Sequence, residues 1–372
     1  MPPLRIGVNA LYLIPGEVGG TEIYLRSLLR ALAGVDSENR YSIFVNRETG
    51  HGLVPAAGNF EAAGQPVPAR FRPARIVWEQ IALPVEALTR RLDVLLNPGF
   101  TAPLAAPCPL VTVFHDLQHL RHPEFFRWFD LPFWRFLLRA SASRSRALIA
   151  ISEATRDDLL RYYRPPASKV VTVPLGVDDE FFELASRPGP KAAEPYLLCV
   201  STLHPHKNIA RLIRVFAALR QSQPGLRLVL AGHKGFETGT VEAAVRELGL
   251  QADVTITGWI PRDDLLALYR DARAFVYPSL FEGFGIPVLE ALAAGLPTAC
   301  SDIEPLRSLA GDAALRFHPA REDAMLEALR RLCADEPLRE RLRAAGPRRA
   351  REFPWRRTAL GTLQTLRRAA GR

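Results

Sequence analysis

The sequence predicts an α/β fold made of two doubly wound, parallel-sheet domains in tandem. Three observations carry that expectation. Short apolar runs alternate with stretches of helical periodicity along the whole chain. The alternation breaks at residues 185–194, ASRPGPKAAE, and then restarts. Most of the apolar runs end in glycine or polar residues, as strands do where a parallel sheet presents a ligand site. A chain of 372 residues also exceeds what one ordinary core accommodates, which suits two domains.

In chain order, LRIGVNALYL reads as the first strand, followed by the glycine-rich loop PGEVGGTE. Ile23, Tyr24, Ser27, Leu28 and Leu32 then recur at helical spacing. YSIFVN, DVLLNPG, PLVTVFHD, ALIAIS and KVVTVPLG are further strand candidates. Strands that alternate with helices imply parallel βαβ units. Residues 1–184 are therefore expected to form the first domain and 185–194 a linker rich in Pro, Gly and charge. The second domain is expected over 195–352, with strands in PYLLCVST, LRLVLAG, DVTITGW, AFVYPS and PTACSD. The segment 353–372 reads as a closing helix, TALGTLQTLRRAA, with no strand after it. A ligand is expected in the mouth between two such sheets, at the carboxyl ends of their strands.

Composition narrows the function. The chain is 48% hydrophobic and 23% charged and has no uncharged apolar run long enough to span a bilayer. Its N-terminus passes straight into a strand without a signal-peptide pattern, so a cytoplasmic location is expected. The four cysteines lie far apart and form no metal or disulfide framework. The net charge is +9, but residues 321–372 hold 14 Arg against 7 acids, so the excess sits on the C-terminal helices. That pattern favours a solvated or anionic-lipid-facing surface over a nucleic-acid partner. The first loop lacks G-x-G-x-x-G, which argues against a nicotinamide-dependent dehydrogenase.

The stretch YPSLFEGFGIPVLEALAAGLP, Tyr277 to Pro297, carries the chemistry. Pro287 suits the first turn of a helix, where its missing N–H is not needed. Gly283, Phe284 and Gly285 then precede a helix start whose free N–H groups favour a phosphate. Glu282 lies just outside that start and Glu290 one turn inside it. Because helical side chains lean toward the N-terminus, both carboxylates can flank one mouth. The plain alternative is that both acids only complement the helix dipole.

This stretch resembles the Glu-x7-Glu signature of the retaining GT4 glycosyltransferases of the GT-B fold. GGTEIYLRSLL, VTVFHDL, ALIAISEATRDDLLRYY, KVVTVPLGVDDEFF, YLLCVSTLHPHKNIARLI, LVLAGHKG and VTITGWIPRDDLLALYRDARAFVYPS follow in the family's order, over residues 4–366. The resemblance implies two Rossmann-like domains with a cleft between them and a C-terminal helix that crosses back. It implies transfer of a sugar from a nucleotide-sugar donor with retained configuration. Glu282 then matches the residue that binds the donor sugar's hydroxyls, and Glu290 the one that accepts from the ribose. The backbone of Gly283, Phe284, Gly285 and Ile286 matches the cradle for sugar and diphosphate. Gly19, Gly20 and Thr21 match a loop that approaches the diphosphate from the first domain, and Gly258, Trp259 and Ile260 the loop that frames the base.

Lys207, in HPHKN, matches the family's cation beside the diphosphate, where charge builds on the leaving group. Relatives also place an arginine at the position of Thr202 or of His206. Neither residue is Arg here, so His206 or an arginine from elsewhere is expected to supply that charge. His115, at the end of VTVFHD, matches a histidine near the reacting centre; it is read as binding the sugar or steadying charge, not as the general base. Asp116, on the acceptor side, is the nearest alternative base. His115, His119, His122 and Glu124 lack a second ligand cluster, and the family needs no metal, so no metal or other cofactor is expected.

The segment 123–140, PEFFRWFDLPFWRFLLRA, crowds aromatics among arginines. It reads either as helices packed on the first domain or as a membrane-surface patch that serves a polyprenyl-linked acceptor. The STLHPHKN stretch looks most like bacterial mannosyl- and rhamnosyltransferases of surface-polysaccharide biosynthesis. The expected reaction is therefore mannosyl transfer from GDP-mannose to a glycan or lipid-linked saccharide, at the inner face of the cytoplasmic membrane. A UDP-sugar transferase of the same family, or a non-catalytic or epimerase binder with the same fold, is the alternative.

Overall fold

The computed structural model describes residues 2–17, 19–186 and 195–372. The chain divides into two compact units. The first comprises Met1–Gly176 together with Trp355–Arg372, and the second Val177–Pro354.

Unit 1 is built on seven parallel strands: β1 Arg5–Asn9, β2 Arg40–Val45, β3 Phe60–Gly64, β4 Val94–Asn97, β5 Leu110–Phe114, β6 Ala147–Ala150 and β7 Val170–Thr172. Their order is β3-β2-β1-β4-β5-β6-β7. The central strands are buried at every position, as LVTVF of β5 and VLLN of β4 show, because helices cover both sheet faces. The order reverses between β1 and β4, which opens a crevice at their carboxyl ends.

The C-terminal helix Trp355–Ala369 belongs to this unit. It buries Trp355, Thr358, Ala359, Thr362, Leu363 and Leu366, a stripe at helical spacing, and it packs against helix Gly20–Val35. Tyr24 meets Trp355 with ring centroids 6.4 Å apart, and Thr358 Oγ1 donates to Pro174 O at 2.7 Å. Gly176 is required at this joint, since a Cβ there would lie 2.4 Å from Trp355 N. The expected return of the C-terminal helix to the first domain is thus present.

Unit 2 repeats the plan with β8 Tyr196–Val200, β9 Arg227–Ala231, β10 Val254–Gly258, β11 Ala274–Tyr277, β12 Thr298–Ser301 and β13 Leu315–Phe317. All pairings are parallel, in the order β10-β9-β8-β11-β12-β13, with the reversal between β8 and β11.

The sequence places the first boundary at residue 184, but the structure divides at Gly176. Helix Asp179–Ser186 explains the difference, because it is anchored in unit 2. Phe181 is fully buried edge-on against Tyr269 at 5.2 Å, and Asp178 and Glu180 both accept from Arg262. Val177 N donates to Phe353 O in the same unit. Of the expected linker 185–194, residues 187–194 lie outside the described residues. No helix among the described residues is long and apolar enough to cross a membrane.

Candidate active site

In unit 2 the expected residues gather at the carboxyl ends of β8 and β11, the two strands that flank the order reversal. The turn Pro205–Lys207 follows β8, and the loop that leads to helix Ile286–Ala293 follows β11. Two hydrogen bonds stitch these loops together. Leu280 N donates to His206 O at 2.7 Å, and Asn208 Nδ2 donates to Pro278 O at 3.0 Å. Asn208 tolerates the left-handed φ of 61° that this turn requires and starts helix Ile209–Arg220.

Stitching brings Lys207 to Glu282. Lys207 Nζ donates to Glu282 Oε1 at 2.6 Å and to Tyr277 OH at 3.0 Å, with side chains only 14% and 9% exposed. Burial works against the lysine's charge. The Glu282 carboxylate and the Tyr277 hydroxyl more than offset it and hold its pKa above the ordinary lysine value. Of the three ammonium hydrogens, these two bonds engage two. Among the described residues the cation bonded to Glu282 is Lys207.

Beside the pair, Gly285 caps helix Ile286–Ala293 at φ 106°. A side chain there would be strained, and a Cβ would sit 2.4 Å from Leu306 Cδ2. Phe284 is buried edge-on against Phe353 at 6.1 Å, which fixes the loop that carries Gly283. Val288 N and Leu289 N already donate to Gly285 O, and the positive end of this helix lies next to a buried cation, an arrangement that favours an anion.

Glu290 lies inside that helix and is buried. Its Oε2 accepts from Tyr269 OH at 2.9 Å, and its Oε1 is 3.8 Å from Arg262 Nη1. Burial pushes its pKa up to about 7, while Arg262 and Tyr269 pull the other way. Tyr277, Tyr269 and Arg262 drew no functional expectation, although all three stand in motifs quoted above. Only the tertiary pairing shows what they hold.

Gly258 ends β10, two strands from β8 at the sheet edge, and Trp259 and Ile260 follow it. Gly232 links the strand ends. Its N–H donates to Gly258 O at 3.0 Å, and a Cβ on it would lie 2.3 Å from Ser201 O. Trp259 is 60% exposed, an indole face left open to solvent. Thr202 O accepts from His204 N, and the His206 ring stacks on His204 at 5.8 Å.

In unit 1 the order reversal likewise carries a site. A cavity of about 510 Å³ is lined by Tyr12 and Thr21, by Gly99 and Phe100 after β4, and by Asp116 and His119 after β5. Gly19 caps helix Gly20–Val35 with φ 57° and ψ −130°, a conformation that favours glycine. The helix start therefore sets Thr21 on the cavity wall.

His115 lies behind that wall. Its Nε2 bonds to Pro98 O at 2.8 Å, and because a carbonyl only accepts, Nε2 carries the proton. Burial pushes its pKa down to about 4, so the ring is neutral at pH 7. It rests against Tyr24 and Phe100, with centroids 4.9 and 5.1 Å away. Asp116, not His115, lines the cavity.

The other histidines do not converge. His119 bonds to Tyr163 OH at 2.8 Å, His122 pairs with Glu124 at 3.0 Å, and among the described residues no three His, Cys, Asp or Glu gather in metal-binding reach. The segment 123–140 divides its aromatics. Trp128, Phe129, Phe133 and Phe136 are exposed, whereas Phe125, Phe126 and Trp134 are half-buried.

Two family models match the chain, "Glycosyl transferases group 1" over residues 181–349 and "Glycosyltransferase Family 4" over 18–181. O-antigen chain mannosyltransferase B of Escherichia coli is 28% identical over 265 residues, 69% of this chain and 70% of that protein. The serotype-specific mannosyltransferase WbdA of Escherichia coli is 28% identical over 269 residues, 68% of this chain but only 32% of that protein. The solved sucrose-phosphate synthase of Thermosynechococcus elongatus has the same fold, with a TM-score of 0.79 at 20% identity over 98% of both chains. Matched by those two models from residue 18 to 349 and folded as two Rossmann-like units, the chain belongs to the GT4 group of GT-B glycosyltransferases.

Proposed function

We propose that the protein is a retaining mannosyltransferase that moves mannose from GDP-mannose to a glycan or lipid-linked saccharide during surface-polysaccharide synthesis. The observation that carries this reading is the Lys207–Glu282 pair, buried at the head of a glycine-capped helix. The mannosyl assignment draws on the names of the relatives with which the chain shares 28% identity.

In this reading the helix start at Gly285–Ile286 and the remaining Lys207 hydrogen take the diphosphate. Glu282 holds sugar hydroxyls, Glu290 the ribose, and Trp259 the base. The C1–O bond to the leaving phosphate breaks, and the acceptor oxygen bonds to C1 on the same face. A neutral His115 with Nε2 committed to Pro98 is a poor base. The acceptor's proton therefore passes to the departing phosphate oxygen, and Asp116 orients the acceptor. Lys207 supplies the positive charge, so transfer runs without a divalent cation and keeps its rate in EDTA. The exposed aromatics of 123–140 rest on the inner face of the cytoplasmic membrane.

Calorimetry with GDP, UDP, GDP-mannose and UDP-glucose tests the donor. Selective GDP binding, lost in Lys207→Ala, is expected. UDP selectivity would replace the donor, and no nucleotide binding at all would overturn the assignment.

A further inference from the structure

Three arginines converge on the unit 1 cavity from one short stretch. Arg70, Arg72 and Arg75 line it together with Asp116, so its ionised lining carries a net positive charge while His119 is held neutral. Arg70 pairs with Glu17 at the rim, and Arg72 lies over the Trp134 ring at 3.8 Å. Arg75 is the deepest of the three. Its Nε is buried with no hydrogen-bond partner among the described residues, as are those of Arg211 and Arg273, but those two guanidinium groups donate through an Nη to backbone carbonyls. Burial lowers the pKa of Arg75, and buried Glu79 on the same helix works against that by favouring its charged form. Arginine presents a planar fork suited to phosphate oxygens.

The surroundings are apolar. The helix Arg72–Thr89, which supplies two of the arginines, turns Val77, Ile81, Val85 and Leu88 outward at helical spacing, each more than half exposed. Phe71 at its start is exposed as well. Phe126 and Trp134, from the aromatic segment, line the cavity itself.

We infer that this cavity is an anion-binding acceptor subsite that takes a phosphate or diphosphate ester, with Arg72 and Arg75 on its oxygens. The inference rests on the glycosyl-transfer reading and names the acceptor's chemical class. Its ester chain leaves over the apolar face of helix Arg72–Thr89. Glu282 and Lys207 do not line it, so variants at those positions tell the two sites apart, Thr21 being the residue read in both.

The test is calorimetry on the full chain with inorganic pyrophosphate, farnesyl diphosphate and farnesol, each titrated in saturating GDP so that the donor half-site is filled. Farnesyl diphosphate is expected to bind, farnesol not, and Arg75→Met and Arg72→Gln each to weaken binding at least tenfold while GDP affinity stays at the wild-type value. Arg72→Gln lies outside the Glu79 cluster, so it remains informative if Arg75→Met unfolds. Pyrophosphate binding as tight as farnesyl diphosphate would support the anion site and assign recognition to the headgroup alone. Tighter binding of farnesyl diphosphate would support it and add the apolar face. Undiminished binding in both variants, or no binding of either diphosphate, would overturn the inference. If GDP itself does not bind, the donor assignment fails, and the same titrations in Lys207→Ala without GDP still decide the anion site.

Discussion

At the residue scale, the Lys207–Glu282 pair is held between two strands of one sheet, and its burial makes it costly to break. Removing one partner of a buried ion pair leaves an uncompensated charge and costs about 3–5 kcal/mol. Lys207→Met should therefore lower thermal stability strongly, while Lys207→Met with Glu282→Gln recovers part of the loss without recovering transfer. Melting curves of the two singles and the double check this, and additive losses would contradict it. Glu290 gives a pH signature of opposite sense. Burial raises its pKa from 4.5 to about 7, so the folded state binds its proton more tightly than the unfolded state. The associated stability is full below pH 4.5 and is lost as the pH rises to about 7, up to about 3 kcal/mol in all. Glu290→Gln should flatten that slope and raise the melting temperature at pH 8, yet weaken GDP binding. A pH slope unchanged in the variant would place the titration elsewhere. Both glutamates and the lysine were legible as candidates from their motifs. Their partners Tyr277, Tyr269 and Arg262 were not, because Tyr277 meets Lys207 across 70 residues only once β8 and β11 are neighbours, and Tyr269 and Arg262 reach Glu290 from a different helix.

At the scale of elements, eleven strands were readable as apolar runs and two were not. FEAAG of β3 closes one edge of the unit 1 sheet, and the three residues LRF of β13 close one edge of unit 2. An edge strand is covered on fewer sides, so it needs no continuous apolar run and leaves a weak trace in the sequence. The loop after β11 was legible for a stronger reason. Its glycines answer a backbone demand that no other residue meets cheaply. Gly285→Ala should cost about 1–3 kcal/mol, since it forces a side chain at φ 106° and presses on Leu306. Because the strain falls on the anion cradle, nucleotide affinity should drop even at temperatures where unit 2 stays folded. Calorimetry beside a chemical melt separates the two, and wild-type affinity in a destabilised variant would show that the cradle does not depend on this turn.

At the scale of the whole molecule, the chain order and the physical units differ. The Pro- and Gly-rich stretch at 185–194 looks like the natural divide, because composition marks linkers well. Composition does not register that Arg262 holds Asp178 and Glu180, and that contact is what assigns helix Asp179–Ser186 to unit 2. The return of the last helix to unit 1 was implied by the family resemblance, whereas periodicity alone marked it only as a strandless amphipathic segment. The interface it fills, Tyr24 against Trp355 with Gly176 beneath it, involves residues more than 150 positions apart. This asymmetry yields a test of how the units depend on one another. Ending the chain after Pro354 removes Trp355, Ala359, Leu363 and Leu366, all buried in unit 1, and exposes the face of helix Gly20–Val35 they cover. Each fully buried large apolar side chain contributes about 1.5–3 kcal/mol, so the loss approaches the whole stability of a typical domain. Unit 1 should unfold in the truncated chain, while unit 2 keeps its own core and still binds GDP. Limited proteolysis that cuts within 2–176 and spares 195–354, together with retained calorimetric GDP binding, is the expected result. Loss of both units together would show that unit 2 cannot fold without the helix that follows it.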